Sequence, residues 1–317
     1  MRHLFSSLMK RRLVLAAAAS GVATPFMASA QSFPNRPIKM IVPFAPGGAT
    51  DVLARTLAQN MASALGHPVI IENRPGAGGS IGLGFVAQSA TDGYTLLFSN
   101  LAPLVINPHL MPQAAPLNSF SPVSAFAYIP QVLASSRHHT FSALAVREVL
   151  FGNNGNGTLA HIMAAMVARS ANLRATHIPY RGAAPMVTDM MANQFDAAIA
   201  SAISLEPSRA SGKLNYLAVT SPIPSLPNVP TFDQLGIGDA TFNDWYGVVA
   251  PSGTPASIIS QLNNALIRAV SSPDVQQRIK SMGAFPQLST PEQFGLLIRL
   301  YSERMGKAIR ENGITPS

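Results

Sequence analysis

Cysteine is absent from the 317 residues. This excludes a disulfide framework, a thiolate metal site and a cysteine for lipid attachment. Charge is sparse as well: charged residues make up 11% of the chain, and beyond Arg12 Lys and Arg form no dense run. The footprint of a nucleic-acid binder is therefore missing. After the N-terminal stretch no apolar run reaches the roughly 20 residues that a bilayer crossing needs, and no internal repeat or low-complexity segment is present. No phosphate-loop lysine follows any glycine-rich turn, which argues against nucleotide binding. His138 and His139 are adjacent, so they diverge and have no metal partner at a recognised spacing. No cofactor and no metal are expected.

The first thirty residues read as an export signal. Basic Lys10-Arg11-Arg12 precedes an apolar run from Leu13 through Ala23, and Ala28-Ser29-Ala30 places cleavage after Ala30. Loss of Arg2, Lys10, Arg11 and Arg12 takes the formal charge from +8 to +4, a mild positive balance that suits an anionic small molecule. The mature chain is expected outside the cytoplasmic membrane, in the periplasm.

Apolar runs of strand length alternate with helical patterns along the remainder, which argues for α/β domains with largely parallel sheets. Strands are expected at Ile38–Val42, Val69–Asn73 and Thr95–Phe98, with helices at about 51–64 and 80–89 between them. Proline-rich 101–121 reads as a connector without a period, and Pro122–Ala134 as one long extended stretch. A second series follows: strands at Val149–Phe151, Thr176–Pro179, Phe195–Ala200 and Leu214–Val219, helices at 158–171 and 183–192. Thr241–Ala250 is a second extended run. Thr254-Pro255, Ser272-Pro273 and Thr290-Pro291 mark helix starts, and Thr290 with Gln293 makes a capping box. Two α/β lobes joined by crossings near 122–134 and 241–250 follow, with 31–130 plus 250–317 in the first and 131–249 in the second.

Function concentrates in turns that leave strands and enter helices. Pro46, Gly47, Gly48, Ala49, Thr50 and Asp51 form one, Gly78, Gly79 and Ser80 close another, and Gly155, Asn156, Gly157 and Thr158 a third. Such turns point free N–H groups beyond the carboxyl ends of the strands, where an anion can sit. Ser99 and Asn100 end a strand on the same side. Arg181, in the turn Tyr180-Arg181-Gly182, can grip a carboxylate with two donors or face solvent. Asp51 more often caps a helix than meets a ligand, His161 touches the cleft or packs in the core, and Asp196 looks structural. Because the glycines offer no side-chain donors, Gly48→Val is expected to disturb its turn and weaken binding at least tenfold, more than Arg181→Ala.

Two short motifs point elsewhere. Gly78-Gly79-Ser80-Ile81-Gly82 spells a nucleophile elbow, so a secreted serine hydrolase using Ser80 is the alternative. Ser80 does not directly end a strand, however, and no His or acid is marked out as its partner. Gly82-Leu83-Gly84-Phe85-Val86-Ala87 fits a dinucleotide fingerprint but falls inside a helix.

Taken in order, Pro34-Asn35-Arg36-Pro37-Ile38, Val42-Pro43-Phe44-Ala45-Pro46-Gly47-Gly48, Glu72-Asn73-Arg74-Pro75-Gly76-Ala77-Gly78-Gly79, Asp92-Gly93-Tyr94-Thr95-Leu96-Leu97, Pro179-Tyr180-Arg181-Gly182, Val229-Pro230-Thr231-Phe232 and Ala250-Pro251-Ser252-Gly253-Thr254-Pro255 resemble the Bug family of extracytoplasmic solute receptors. The resemblance covers nearly all of the mature chain. It implies a type II periplasmic binding protein fold whose lobes close on a small carboxylate, a monomer, and the membrane components of a tripartite tricarboxylate transporter as partners. It also implies that loops matching Pro46–Asp51 and Gly155–Thr158 hold the carboxylate through backbone N–H groups and waters, with further contacts from those matching Gly76–Ser80 and Tyr180–Gly182. The segment from Ser135 to Phe151 is shorter than is usual in the family.

Overall fold

Ile38, Met40, Ile41 and Val42 are all fully buried, the signature of a strand covered on both faces in the middle of a parallel sheet. The computed structural model that shows this describes residues 33–146, 148–209 and 211–315; the expected export signal lies outside the described residues. Eleven strands follow in chain order among these residues: β1 (Ile38–Val42), β2 (Val69–Asn73), β3 (Thr95–Asn100), β4 (Phe120–Ile129), β5 (Gln131–Ser135), β6 (Val149–Asn153), β7 (Ala175–Pro179), β8 (Ala197–Ser201), β9 (Asn215–Val219), β10 (Asp244–Pro251) and β11 (Phe285–Pro286). They form two sheets, ordered β11-β4-β10-β3-β1-β2 and β7-β6-β8-β5-β9.

Both sheets are mixed. In the first, β1 runs parallel to β2 and β3, while β10 is antiparallel to β3 and β4. In the second, β6 runs parallel to β7 and β8, and β5 is antiparallel to β8 and β9. The expected parallel character holds for the strand–helix–strand units only. The strands that carry the chain between sheets reverse direction, a consequence of connectivity that periodicity does not reveal.

The single extended stretch expected at Pro122–Ala134 is two strands in different sheets. Pro130 has no N–H to give to a ladder, so β4 ends at Ile129, opposite Asp244, and β5 begins at Gln131, opposite Ser201. The return crossing is held against this break by polar side chains. Gln131 N–H donates to Thr220 Oγ1 at 2.8 Å, Thr220 N–H donates to the Gln131 carbonyl at 3.0 Å, and Thr220 Oγ1 lies 2.7 Å from Asn243 Oδ1. Regular pairing on the return resumes at Asp244, not at Thr241 as expected.

The helices are α1 (Ala49–Leu65), α2 (Ser80–Ala87), α3 (Ala102–Val105), α4 (Asn107–Leu110), α5 (Leu159–Ser170), α6 (Ala183–Met191), α7 (Ala202–Arg209), α8 (Ala256–Val270), α9 (Pro273–Ser281) and α10 (Pro291–Glu311). The connector expected over 101–121 holds the one-turn helices α3 and α4, each with a proline in its first two positions, where a missing N–H costs nothing. Helix α7, which follows β8 without a loop, contains Pro207 and gives no clear period. Two of the three expected starts in the tail hold, α9 behind Ser272 and α10 behind Thr290, where Thr290 and Gln293 form the reciprocal capping box; α8 instead has Pro255 as its N-cap and begins at Ala256, the Thr254 hydroxyl donating back to the Pro251 carbonyl. Helices α8 and α10 both pack on β4. In α8 the buried stripe includes Ile259, Leu262 and Leu266.

Candidate ligand-binding site

Beyond the carboxyl ends of β1, β2, β3, β6 and β8 lies a cavity of about 340 Å³, within the range of small-molecule sites. One side is built by Phe44, Gly78, Asn100 and the α3–α4 pair; the other by Asn154, Asn156, Gly157, Thr158 and the start of α5. Gln131 and Asp244, from the crossings, Ser201, at the end of β8, and Thr315 complete it.

The turn at 155–158 is strongly preset. Thr158 is the N-cap of α5, and its Oγ1 accepts from the His161 N–H and lies 2.7 Å from the Gly155 carbonyl. Gly155 N–H donates to Asn153 Oδ1 at 3.0 Å, and Gly157 N–H donates to His161 Nδ1 at 3.1 Å. His161 thus shapes the turn as its acceptor, a role that needs a neutral imidazole. Burial lowers its pKa, and burial together with His161 takes neighbouring His177 down to about 4. The first N–H groups of an α-helix have no partner inside it, and at α5 they lie in the cavity wall with Leu159 and Ala160. Gly157 has φ +70, and a Cβ there would lie 2.7 Å from Leu110 Cδ1 across the cavity.

The turn at 46–51 is organised by Asp51. This carboxylate accepts from the Gly47 N–H at 2.9 Å, from Arg55 at 2.9 and 3.0 Å and from Asn73 Nδ2 at 2.9 Å. It is buried; although burial alone would raise its pKa, the hydrogen bonds from Arg55, Gly47 and Asn73 outweigh that and hold it below the usual carboxylate value. Gly48 is the N-cap of α1 and brings no side chain to cap it. Its φ is −74, and only the Ala45 carbonyl, 3.8 Å away, would meet a Cβ. The premise that Gly48→Val must disturb the turn is therefore corrected. Backbone strain belongs to Gly47, at φ +86, and to Gly79, at φ +95, where an added Cβ would lie 3.0 Å from Pro103 Cγ.

Gly78, Asn100, Asn156, Gly157 and Thr158 line the cavity. Pro46 through Asp51, Gly79, Ser80, Ser99, Gly155, Tyr180, Arg181 and Gly182 do not. Thr50 reaches the cavity wall indirectly, its hydroxyl donating to the Tyr246 phenol, which donates to Asp244 at 3.1 Å. Ser99 is buried with its hydroxyl unpartnered among the described residues. Tyr180 packs on Phe195 and hydrogen-bonds Asp189; Arg181 is exposed. Sequence reasoning missed Asn107, Gln131 and Asp244. Asn107 sits in a segment without a period, and Asp244 reads only as part of an extended run.

The residues from 53 to 314 match the model of the tripartite tricarboxylate transporter family receptor. The chain belongs to that family. Protein BugT of Bordetella pertussis is 37% identical, over 93% of this chain and 94% of its own. Among solved structures, an R. palustris protein with adipate superimposes with a TM-score of 0.76 at 27% identity, covering 90% of this chain and all of its own. MatC from Rhodopseudomonas palustris with bound malate gives 0.71 at 28%, covering 87% and 100%. These are two-lobed solute-binding folds, and this receptor family consists of periplasmic binding proteins, not enzymes. The hydrolase alternative finds no support: the Ser80 hydroxyl accepts from Asn107 Nδ2 at 2.9 Å and faces Met111 Sδ at 3.7 Å, and neither neighbour can serve as a general base.

The other sequence candidates have structural work. Asp196 accepts from the Leu150 N–H and pairs with Arg137 at 2.9 Å, with His138 Nε2 at 3.7 Å. No group of three or more His, Asp or Glu able to hold a metal occurs among the described residues.

Proposed function

We propose that this receptor captures a small organic carboxylate in the cavity between its sheets and presents it to the membrane components of a tripartite tricarboxylate transporter. The observation that carries the carboxylate is the start of α5 in the cavity wall; the Gly155 and Gly157 N–H groups are taken up within the turn, and the first N–H groups of the helix, at Leu159 and Ala160, together with the helix dipole favour an anion there. Relatives solved with adipate and malate agree with that chemistry. We take the first lobe as 31–130 plus 244–317 and the second as 131–243, moving the expected boundary at 249 because all of β10 pairs with β3 and β4, with the receptor acting as a monomer after cleavage following Ala30. Gly78, Asn100, Asn156, Gly157 and Thr158 are assigned to direct contact, and the turn at 46–51 to a seat reached on closure of the lobes.

Calorimetric titration of the purified receptor with a small carboxylate that binds, and with its amide, tests this reading. Several charge-assisted hydrogen bonds at about 1.5–3 kcal/mol each predict that the amide binds at least tenfold more weakly. Gly157→Val, strained by its φ and aimed at Leu110, is expected to lose at least tenfold for the acid. Equal affinity for acid and amide would contradict a backbone anion seat.

A further inference from the structure

Asp244 lines the cavity and no salt bridge among the described residues reaches it. Its two oxygens accept from Asn100 Nδ2 at 3.0 and 3.3 Å, and Oδ2 accepts from the Tyr246 hydroxyl at 3.1 Å. Both donors are neutral. Asn100 Oδ1, in the same wall, has no donor at all among the described residues. That wall therefore presents two acceptors in excess, one of them charged, while the opposite wall presents the donors of α5. The residues gathered around Asp244 are Asn100, Tyr246 and, through space, Tyr301; none of them supplies a positive charge.

A ligand with a carboxylate at each end would bring a second anion against Asp244, a half-buried carboxylate with no cation beside it, and like charges at such close range repel. A ligand with a cationic nitrogen would supply the missing charge and the missing hydrogen-bond donor together. We propose that Asp244 selects, among small carboxylates, those that also carry an ammonium group, so that the ligand lies with its carboxylate toward α5 and its nitrogen between Asp244 and Asn100. This inference rests on the carboxylate-receptor reading and narrows its substrate class to amino acids in the broad sense.

Matched pairs isolate the nitrogen: L-aspartate and 4-aminobutyrate against succinate, L-glutamate and 5-aminovalerate against glutarate, each titrated calorimetrically at pH 7.5. The wild type is expected to bind at least one amino compound ten times or more tightly than its dicarboxylate partner, and Asp244→Asn to erase that preference. Asn keeps the shape and an acceptor for Tyr246 and removes a charge that burial disfavours, so the variant is expected to fold; Asp244→Ala serves as a second removal of the charge. A wild type that prefers the dicarboxylates, or an amino preference that survives in both variants, would overturn the role of Asp244 and leave the carboxylate reading standing. Absence of binding by all six compounds at millimolar concentration would overturn both.

Discussion

Asp51 and Asp244 are two carboxylates at the carboxyl-end side of the same sheet, and their surroundings put them to opposite uses. Asp51 is surrounded by donors, one of them the Arg55 guanidinium, and its pKa is lowered. Asp244 has only the neutral donors Asn100 and Tyr246, and burial pushes its pKa up to about 6. The first is satisfied by its own chain and holds a turn in shape. The second is left short of charge, facing a cavity. A carboxylate in a binding protein is thus read by what already compensates it, not by its nearness to a motif.

Removing each carboxylate separates the two roles. Asp51→Ala is expected to have the largest effect, because Gly47 and Asn73 lose an ionised acceptor in a buried setting. A loss of about 2–3 kcal/mol in urea unfolding is expected, with weaker ligand binding as α1 loosens. A loss within about 0.5 kcal/mol would place Asp51 outside the architecture of the turn.

Asp244→Asn is expected to act in the opposite direction. A folded-state pKa above the unfolded one means that the native state favours the neutral acid. The stability this contributes is complete below pH 3.8 and is lost as pH rises through about 6, since the buried group must then ionise. The variant should therefore be more stable than wild type by about 2 kcal/mol at pH 7.5, an advantage that disappears near pH 4. Melting curves of both proteins at the two pH values measure it, and a pH-independent difference would contradict the assigned environment.

How much of this contrast was legible in the sequence follows from the kind of signal each residue gives. β1, β2 and their boundaries could be read from Ile38–Val42 and Val69–Asn73 because each is a short, mostly apolar run set between prolines, although β2, at the sheet edge, is only partly buried. The turns were legible because glycine and proline constrain the backbone locally, and Thr290 with Gln293 because a capping box spans four residues. Asp244 was not, because its significance depends on Asn100, 144 residues away, and on the absence of a cation. Gly48 misled for the related reason that adjacent glycines look alike in sequence: Gly47 needs a left-handed φ and Gly48 does not. The split of Pro122–Ala134 at Pro130 could have been found from the proline alone.

The smallest expected effect concerns Trp245, which neighbours Asp244 in sequence but faces the other side of β10. Its ring packs 5.1 Å from Tyr128, and its Nε1–H donates to the Tyr301 hydroxyl at 2.9 Å. Tyr128 belongs to β4, which pairs with β10, and Tyr301 to α10, which packs on β4, so a closure of the lobes would move Trp245 and its partners together. Saturating ligand should change its emission detectably but slightly, through the charge of Asp244 being compensated, and Asp244→Asn should abolish that change. An equally large change in the variant would assign the signal to lobe movement instead.

That the cavity takes a small carboxylate bearing a cationic nitrogen is tested most directly by what the receptor carries from the cell. Purified receptor would be denatured, and the small molecules released would be identified and quantified by mass spectrometry. The expected result is a carboxylic acid with a basic nitrogen, released in proportion to the protein and missing from Asp244→Asn prepared in parallel. A stoichiometric ligand without a carboxyl group, or a dicarboxylate without nitrogen carried equally by both proteins, would contradict it.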